Sequence, residues 1–398
     1  MTGPRTLLIV AGEVSGDMHA ALLLEALRRH DPTVRAYGVG GDRLRAAGME
    51  ILYDVRDTGV MGFTDVVRHI GFFRRMFHDL AATARERRPD AVVLIDYPGF
   101  NLRFAAAAHA MGLKVIYYIC PQVWAWNRRR IPRMAKVVDR LISIFPFEPD
   151  VFKGTGLKVD FAGHPLVDEI AEALAEPTTD LPWAGEPRVA ILPGSRDQEI
   201  TRLLPVLCEA ACLIEQRRPG ASFLMAAPSA EKGTKLRTLL AQMPRRPAHI
   251  AVVDGGMRQV LRQARAALVK SGTGTLEAAL IGCPSVIVYK TSPLTYWLGR
   301  MLVSIDHIGI ANVIAGRRIC PELLQHEATA PAMANALLPL LDNTPQRAAM
   351  LEGYAEVRRL LGSGGAPERA AQIVIEEMGN PSTADSTRQT SVPWASAT

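Results

Sequence analysis

Short runs of aliphatic and β-branched residues alternate with stretches of helical period along most of the chain, and this alternation constrains the fold most. Candidate strands lie at 7–11, 91–96, 114–119 and 141–145 in the first half, and at 189–192, 222–227, 266–270 and 285–289 in the second. Between them, segments such as 18–29, 102–111 and 200–216 carry apolar residues at helical spacing. Strand–helix alternation of this kind predicts α/β architecture with parallel, doubly wound sheets. The rhythm breaks at 172–187, where Pro177, Thr178, Thr179, Pro182, Gly185 and Pro187 supply linker chemistry. It restarts at Arg188. A domain boundary is therefore expected near 165–187, with domains at 1–170 and 186–345. Residues 379–398, rich in Ser, Thr and Ala without apolar period, are expected to form a disordered tail.

The 398 residues suit two domains, and a 48% apolar share with few aromatics fits a globular α/β protein. No apolar run reaches eighteen residues, so no span of a bilayer is expected. The early run Leu7-Leu8-Ile9-Val10 is too short for a signal segment and leads into Gly12-Glu13, which reads as a cytoplasmic protein. Five scattered cysteines with no completing His or Cys cluster predict reduced thiols and no metal site. The formal charge of +6, concentrated at Arg85, Arg87, Arg88 and Arg128-Arg129-Arg130, favours anionic partners. No nucleic-acid-binding module is recognisable, so no nucleic-acid partner is expected.

Three first-half motifs suggest a ligand site. Ala11-Gly12-Glu13-Val14-Ser15-Gly16-Asp17 follows the first strand, where a Gly turn opening a helix presents N–H groups. Gly12, Glu13 and Ser15 are candidate contacts; Asp17 reads equally well as a cap of its own helix. In Ile95-Asp96-Tyr97-Pro98-Gly99-Phe100-Asn101, Asp96 ends an apolar strand at the edge where open α/β sheets bind ligands. A carboxylate half-shielded there suits a general base, and capping of the following helix falls more naturally to Asn101. On spacing alone, base and cap are about even. In Pro121-Gln122-Val123-Trp124-Ala125-Trp126, the tryptophans Trp124 and Trp126 precede a basic run and suit a surface for sugar rings or acyl chains.

Two second-half motifs suit a nucleotide diphosphate. Leu192-Pro193-Gly194-Ser195-Arg196 is a strand, a tight turn and a helix start, with Gly194, Ser195 and the forked cation of Arg196 able to meet phosphate. Lys270-Ser271-Gly272-Thr273-Gly274-Thr275-Leu276-Glu277 repeats the arrangement. Ser271, Gly272, Thr273 and Thr275 allow close approach, and Glu277, expected in the first helical turn, suits ribose hydroxyls. Separately, Phe63, Ile70, Phe72, Phe73, Met76 and Phe77 mix with Arg68, Arg74 and Arg75 at helical spacing. Phe72, Phe73, Arg74 and Arg75 suit contact with a membrane interface; inward packing of the phenylalanines is the alternative.

In this order the motifs resemble the lipid-A-disaccharide synthase family over roughly 7–378. The stretches that carry the resemblance are AGEVSGD at 11–17, GVGGDRL at 38–44, MGFTDVV at 61–67, IDYPGFN at 95–101 and PQVWAW at 121–126. GHPLVD at 163–168, LPGSR at 192–196, SGTGTLE at 271–277 and NVIAGR at 312–317 complete them. The resemblance implies a GT-B fold, two Rossmann-like doubly wound domains facing across a cleft. Helices in 346–378 would pack back toward the N-terminal domain. It implies an inverting, metal-independent hexosyltransferase without a cofactor. The donor would be UDP-2,3-diacylglucosamine and the acceptor 2,3-diacylglucosamine 1-phosphate. The products would be a β-1,6-linked disaccharide phosphate and UDP. The C-terminal domain would hold UDP, with Asn312 beside the motif residues above, and Asp96 would match the essential aspartate. The protein would sit on the anionic cytoplasmic face of an inner membrane, with a homodimer left open. The chain departs from the family pattern at Gly99, where Asp is common, at Lys270, where Ala is common, and at Ala311, where Pro is common. The competing expectations are another UDP-sugar enzyme of the same fold, such as a 2-epimerase, and a non-catalytic nucleotide-sugar-binding regulator.

Overall fold

The computed structural model describes residues 4–58, 63–292, 296–297 and 305–379, with side chains at all of these except 58 and 63–69. The chain divides into two compact units. One comprises Met1–Trp124, Arg128–Gly163 and Gly365–Thr398; the other comprises Ala125–Asn127 and His164–Gly364.

The first unit is built on strands β1 (Thr6–Ala11), β2 (Arg35–Gly40), β3 (Glu50–Asp54), β4 (Ala91–Ile95), β5 (Val115–Tyr118), β6 (Arg140–Ser143) and β7 (Lys158–Phe161). They form one parallel sheet in the order β3-β2-β1-β4-β5-β6-β7. The chain winds outward from β1 to β3, then returns past β1 and winds the other way from β4. The direction reverses between β1 and β4, whose ends lie side by side with Ala11 opposite Ile95. Crevices at such reversals are where doubly wound sheets bind ligands. Leu8, Val10, Val92, Leu94, Val115 and Tyr117 form the sheet's part of a core that Phe104, Met76 and Leu80 complete from two helices. β2 escapes the sequence reading because it carries two glycines. Gly38, at φ +143°, lies so close to β1 that an added Cβ would stand 2.1 Å from the Ile9 carbonyl oxygen.

The second unit contains β8 (Arg188–Leu192), β9 (Ser222–Ala227), β10 (Ile250–Asp254), β11 (Ala266–Lys270), β12 (Ser285–Tyr289) and β13 (Glu322–Leu324), parallel in the order β10-β9-β8-β11-β12-β13. Its reversal lies between β8 and β11, with Leu192 opposite Val269. The Pro-rich segment ahead of β8 is no free linker. Trp183 packs on the second core and donates to Gln263 Oε1 at 3.0 Å. Gln259 and Gln263 tie down the Pro177 and Thr179 carbonyls.

The expected return of residues 346–378 to the first unit divides in two. Helix Ala366–Gly379 packs on helix Val14–His30 of the first unit, where buried Arg140 pairs with Glu376 and Glu377. Helix Pro345–Leu360 stays in the second unit against helices Thr273–Ile281 and Ile310–Ala315. There the Tyr354 hydroxyl meets Ser285 at the start of β12, which holds the helix to its own sheet. The proposed tail lies outside the described residues, apart from Gly379.

Candidate functional site

In the first unit, the segments after β1 and β4 meet at the sheet reversal. Gly12 is buried because the Tyr97 ring occupies the space of a side chain; an added Cβ would lie 2.2 Å from it. Glu13 and Ser15 are exposed at the opening of helix Val14–His30. Asp96 and Tyr97 both take left-handed backbone, φ +44° and +47°, a conformation costly for residues with side chains. The surroundings hold it in place. Asn101 Nδ2 donates to the carbonyls of Ile95 at 3.1 Å, Asp96 at 2.9 Å and Val10 at 3.3 Å. The Tyr117 hydroxyl also donates to the Asp96 carbonyl. The fixed backbone leaves the Asp96 carboxyl half-buried. Burial, then the Glu13 carboxylate, raises it to about 6, against a small opposing hydrogen bond from the Tyr97 amide. A carboxyl with that affinity for protons is mostly ionised at neutral pH and accepts a proton more readily than an ordinary aspartate.

In the second unit, the turns after β8 and β11 emerge side by side at the other reversal. Gly194 and Gly272 have φ +108° and +152°, which side chains rarely adopt. They precede helices Asp197–Arg217 and Thr273–Ile281, whose free N–H groups favour anions. Ser195, Arg196 and Thr273 are exposed there. Glu199 Oε2 accepts from the Arg196 amide at 3.4 Å, and Glu199 Oε1 pairs with Lys270 Nζ at 2.8 Å. Glu277 is buried and bound to Arg258 Nε at 2.9 Å; Arg258 also grips Glu169. Burial raises the Glu277 carboxyl, and Arg258 works against that rise.

A family model described as Lipid-A-disaccharide synthetase matches residues 7–374. The chain belongs to the lipid-A-disaccharide synthase family. The lipid-A-disaccharide synthase of Geobacter metallireducens is 40% identical over 378 residues, 94% of this chain and 98% of that protein. Among solved structures, a putative UDP-N-acetylglucosamine 2-epimerase from Listeria monocytogenes aligns at TM-score 0.63 and 13% identity, over 94% of this chain and 95% of its own. The calicheamicin glycosyltransferase CalG4 aligns at TM-score 0.61 and 16% identity, over 95% of this chain and 99% of its own. At such identity these structures show the fold, which is GT-B. Family membership makes the chain a glycosyltransferase of lipid A disaccharide synthesis.

Several residues of the family motifs are buried or bonded to other groups of the protein. Trp124 is buried: its ring packs on Phe145 and Phe147, and Nε1 donates to Glu148 Oε1 at 3.1 Å. Its expected acceptor contact is thus replaced by a core role, whereas Trp126 is 41% exposed. Glu148 also accepts from the Phe145 amide, and burial raises its carboxyl to about 8. Asn312 is fully buried with its amide saturated. It donates to the Cys320 carbonyl and Glu322 and accepts from the amides of Ile319 and Cys320, so its side chain has no capacity left for a nucleotide. Thr275 is buried and its hydroxyl donates to the Gly272 carbonyl at 2.7 Å, which shapes the turn from behind. Ser271 donates to the Ile308 carbonyl, although an oxygen lone pair stays available. Glu277 lies in the second turn of its helix, not the first.

Three further expectations change. Asp17 does not cap its own helix. It is buried and accepts from the amides of Gly41, Arg43 and Leu44, capping helix Asp42–Ala46. Asn101 is no cap either; the helix after β4 opens at Pro98, under a left-handed Tyr97. Phe72 and Phe73 are half-buried and pack on the first core, with Phe72 edge-on to Tyr53 at 5.8 Å, while Arg74 and Arg75 are exposed. Residues the sequence reading passed over are Arg258 and Glu148; each acts through a partner far along the chain. No described helix is long and apolar enough to cross a membrane, and no group of three His, Cys, Asp or Glu among the described residues suits a metal ion.

Proposed function

We propose that this enzyme transfers the diacylglucosamine of UDP-2,3-diacylglucosamine to the primary hydroxyl of 2,3-diacylglucosamine 1-phosphate. Asp96 takes the hydroxyl proton as the oxygen attacks C1. The bond from C1 to the diphosphate oxygen breaks, and its electron pair leaves with UDP. Attack opposite the leaving group inverts the anomeric centre and gives a β-1,6 linkage. The observation that carries this reading is the Asp96 carboxyl, locked at the reversal of the first sheet with its proton affinity raised to about 6. UDP binds at the reversal of the second sheet. Gly194, Ser195, Gly272 and Thr273 offer N–H groups, Arg196 adds charge as the leaving group develops it, and Glu277 takes the ribose hydroxyls. Gly12, Glu13, Ser15 and Trp126 contribute to acceptor binding. The reaction needs no metal.

The enzyme works at the cytoplasmic face of an anionic inner membrane, where its acylated substrates reside. Exposed Arg74 and Arg75, with Ile70 at 48% exposure on the same helix, support contact with lipid headgroups. The test is to mix both acylated sugars with purified protein in excess EDTA and detect the disaccharide phosphate by mass. Product absent with wild-type protein, or formed equally by Asp96→Asn, overturns the assignment.

A further inference from the structure

A lysine stands between the two glycine turns of the second unit. Lys270 is the last residue of β11 and Glu199 lies in the first turn of the helix after β8, strands paired in register at their ends. Their charged groups meet at 2.8 Å with side-chain exposures of only 18% and 15%. The pair presses on both turns. A Cβ on Gly194 would lie 2.7 Å from Glu199 Oε2 and 3.4 Å from Lys270 Cδ, and one on Gly272 would lie 3.9 Å from Lys270 Nζ. The ammonium therefore sits where the two openings with exposed N–H groups converge. As a mere staple this is a weak device, since drawing both charges out of water costs about what their attraction returns.

We propose that Lys270 is a diphosphate-binding cation, shared between Glu199 in the empty enzyme and a phosphate oxygen in the UDP complex. This inference rests on the reading of the second sheet's reversal as the UDP site. An ammonium has three donors, and Glu199 takes one of them. Arg196 reaches the same carboxylate oxygen, Nη1 to Oε1 at 3.8 Å, but its side chain is 82% exposed and tethered only at that distance. Lys270 and Arg196 together outweigh Glu199 by one positive charge, and two helix N-termini add to it. That balance favours the negative charge of a bound diphosphate. Lys270, shielded and pre-placed, supplies the ordered share of the charge, and Arg196 supplies a mobile share. Glu199 keeps the lysine aimed when no nucleotide is present and prevents it from folding across the turns.

The test compares UDP with uridine by calorimetry. Uridine lacks the diphosphate, so loss of Lys270 should weaken UDP and spare uridine. Lys270→Met should reduce UDP affinity roughly ten- to a hundredfold, the range for a hydrogen bond to a charged group. Uridine affinity should change less than about twofold, and Lys270→Arg should restore most of the UDP binding. The double variant Lys270→Met/Glu199→Gln should remain weak for UDP relative to Glu199→Gln alone, which removes the explanation that an unpaired Glu199 repels phosphate. Lys270→Gln carries the same expectation as Lys270→Met, so a variant that fails to fold leaves the other to decide. An unchanged ratio of UDP to uridine affinity in folded Lys270 variants overturns this proposal and leaves the UDP site standing. Equal losses for both ligands, with a lowered melting temperature, make the pair a structural staple and also overturn it. Wild-type protein that binds neither ligand overturns the UDP site itself, and this inference with it.

Discussion

Replacing Asp96 by Asn should make the enzyme slower and more stable at once. The carboxyl is raised from 3.8 to about 6, first by burial and then by Glu13. Because its folded value exceeds its unfolded value, folding favours the protonated form. Below about pH 4 both states are protonated and the difference costs nothing. Between about pH 4 and 6 the unfolded carboxyl ionises while the buried one keeps its proton, so the cost grows through that window and levels off once the buried group also ionises, by about pH 7. A rise of this size, at roughly 1.4 kcal/mol for each tenfold gain in proton affinity, sets an upper bound of about 3 kcal/mol. Asn is the appropriate probe because it matches the shape and tolerates the left-handed backbone at φ +44°. Urea unfolding should therefore show Asp96→Asn more stable by about 1–3 kcal/mol at pH 7.5, and level with the parent near pH 4. Turnover should fall on the order of a hundredfold or more, and wild-type kcat/KM should rise with pH through about 6 before levelling. A variant that keeps near wild-type turnover refutes the general-base role. One whose stability gain is absent at pH 7.5, or equal at both pH values, refutes the account of a desolvated carboxylate.

Other substitutions separate ligand contacts from scaffolding. Glu277→Gln should weaken uridine and UDP by a similar factor of roughly ten or more, as expected for losing a charged hydrogen bond to ribose; unaffected uridine binding would remove Glu277 from the ribose site. Asn312→Ala leaves the Ile319 and Cys320 amides and Glu322 short of partners in a buried place, and should cost about 3 kcal/mol or more in unfolding measurements. A stable Asn312→Ala protein with lost uridine affinity would instead return Asn312 to the nucleotide. Phe72→Ser with Phe73→Ser should lower stability by about 1–2 kcal/mol per site, given their half-burial against the core. Arg74→Ala with Arg75→Ala should leave the melting temperature alone and weaken binding to anionic vesicles; the reverse pattern would place lipid contact on the phenylalanines.

What the sequence shows and what it hides divide along the range of the interactions. The strand–turn–helix restarts at Gly12, Asp96, Gly194 and Gly272 are local signals, and a parallel sheet necessarily gathers such restarts at one edge. Which way a motif's polar side chain points is a different matter, because it depends on residues elsewhere. Trp124 turns inward because Glu148 and Phe147 receive it, 24 and 23 positions on. Asp17 looks like a cap for its own helix, yet the amides it satisfies begin at Gly41. Asn101 fills a gap between β1 and β4 by bonding to Val10 and Ile95, a task invisible without knowing that those strands are neighbours. Phe72 and Phe73 lie on a helix with aromatics on several faces, so period alone supports two readings; Tyr53, on a strand absent from the sequence reading, helps to settle them inward. Among the missed strands, β13 is short and β2 bears two glycines.

The two units use one topological device with opposite charge. At each reversal a strand ends in a turn that opens a helix, and the neighbouring strand ends beside it. In the first unit the groups gathered there are carboxyls, Glu13 and Asp96, and the Glu13 carboxylate makes ionisation of Asp96 harder. In the second, the cations Lys270 and Arg196 gather on Glu199. A helix N-terminus favours anions in both places, so backbone electrostatics suits each carboxylate singly, and it is their crowding in the first unit that the surroundings must impose. The left-handed backbone at Asp96 and Tyr97 and the lodging of Tyr97 against Gly12 impose it. That arrangement carries two local costs, strain and desolvation, and both fall on the residue assigned to remove a proton. In the second unit the glycines adopt the left-handed turns without strain, and Lys270 and Arg196, held by Glu199, add to the attraction of the helix termini for an anion. The proposed base thus sits in a perturbed setting, whereas the turns proposed for the diphosphate are formed by glycines suited to their backbone conformation.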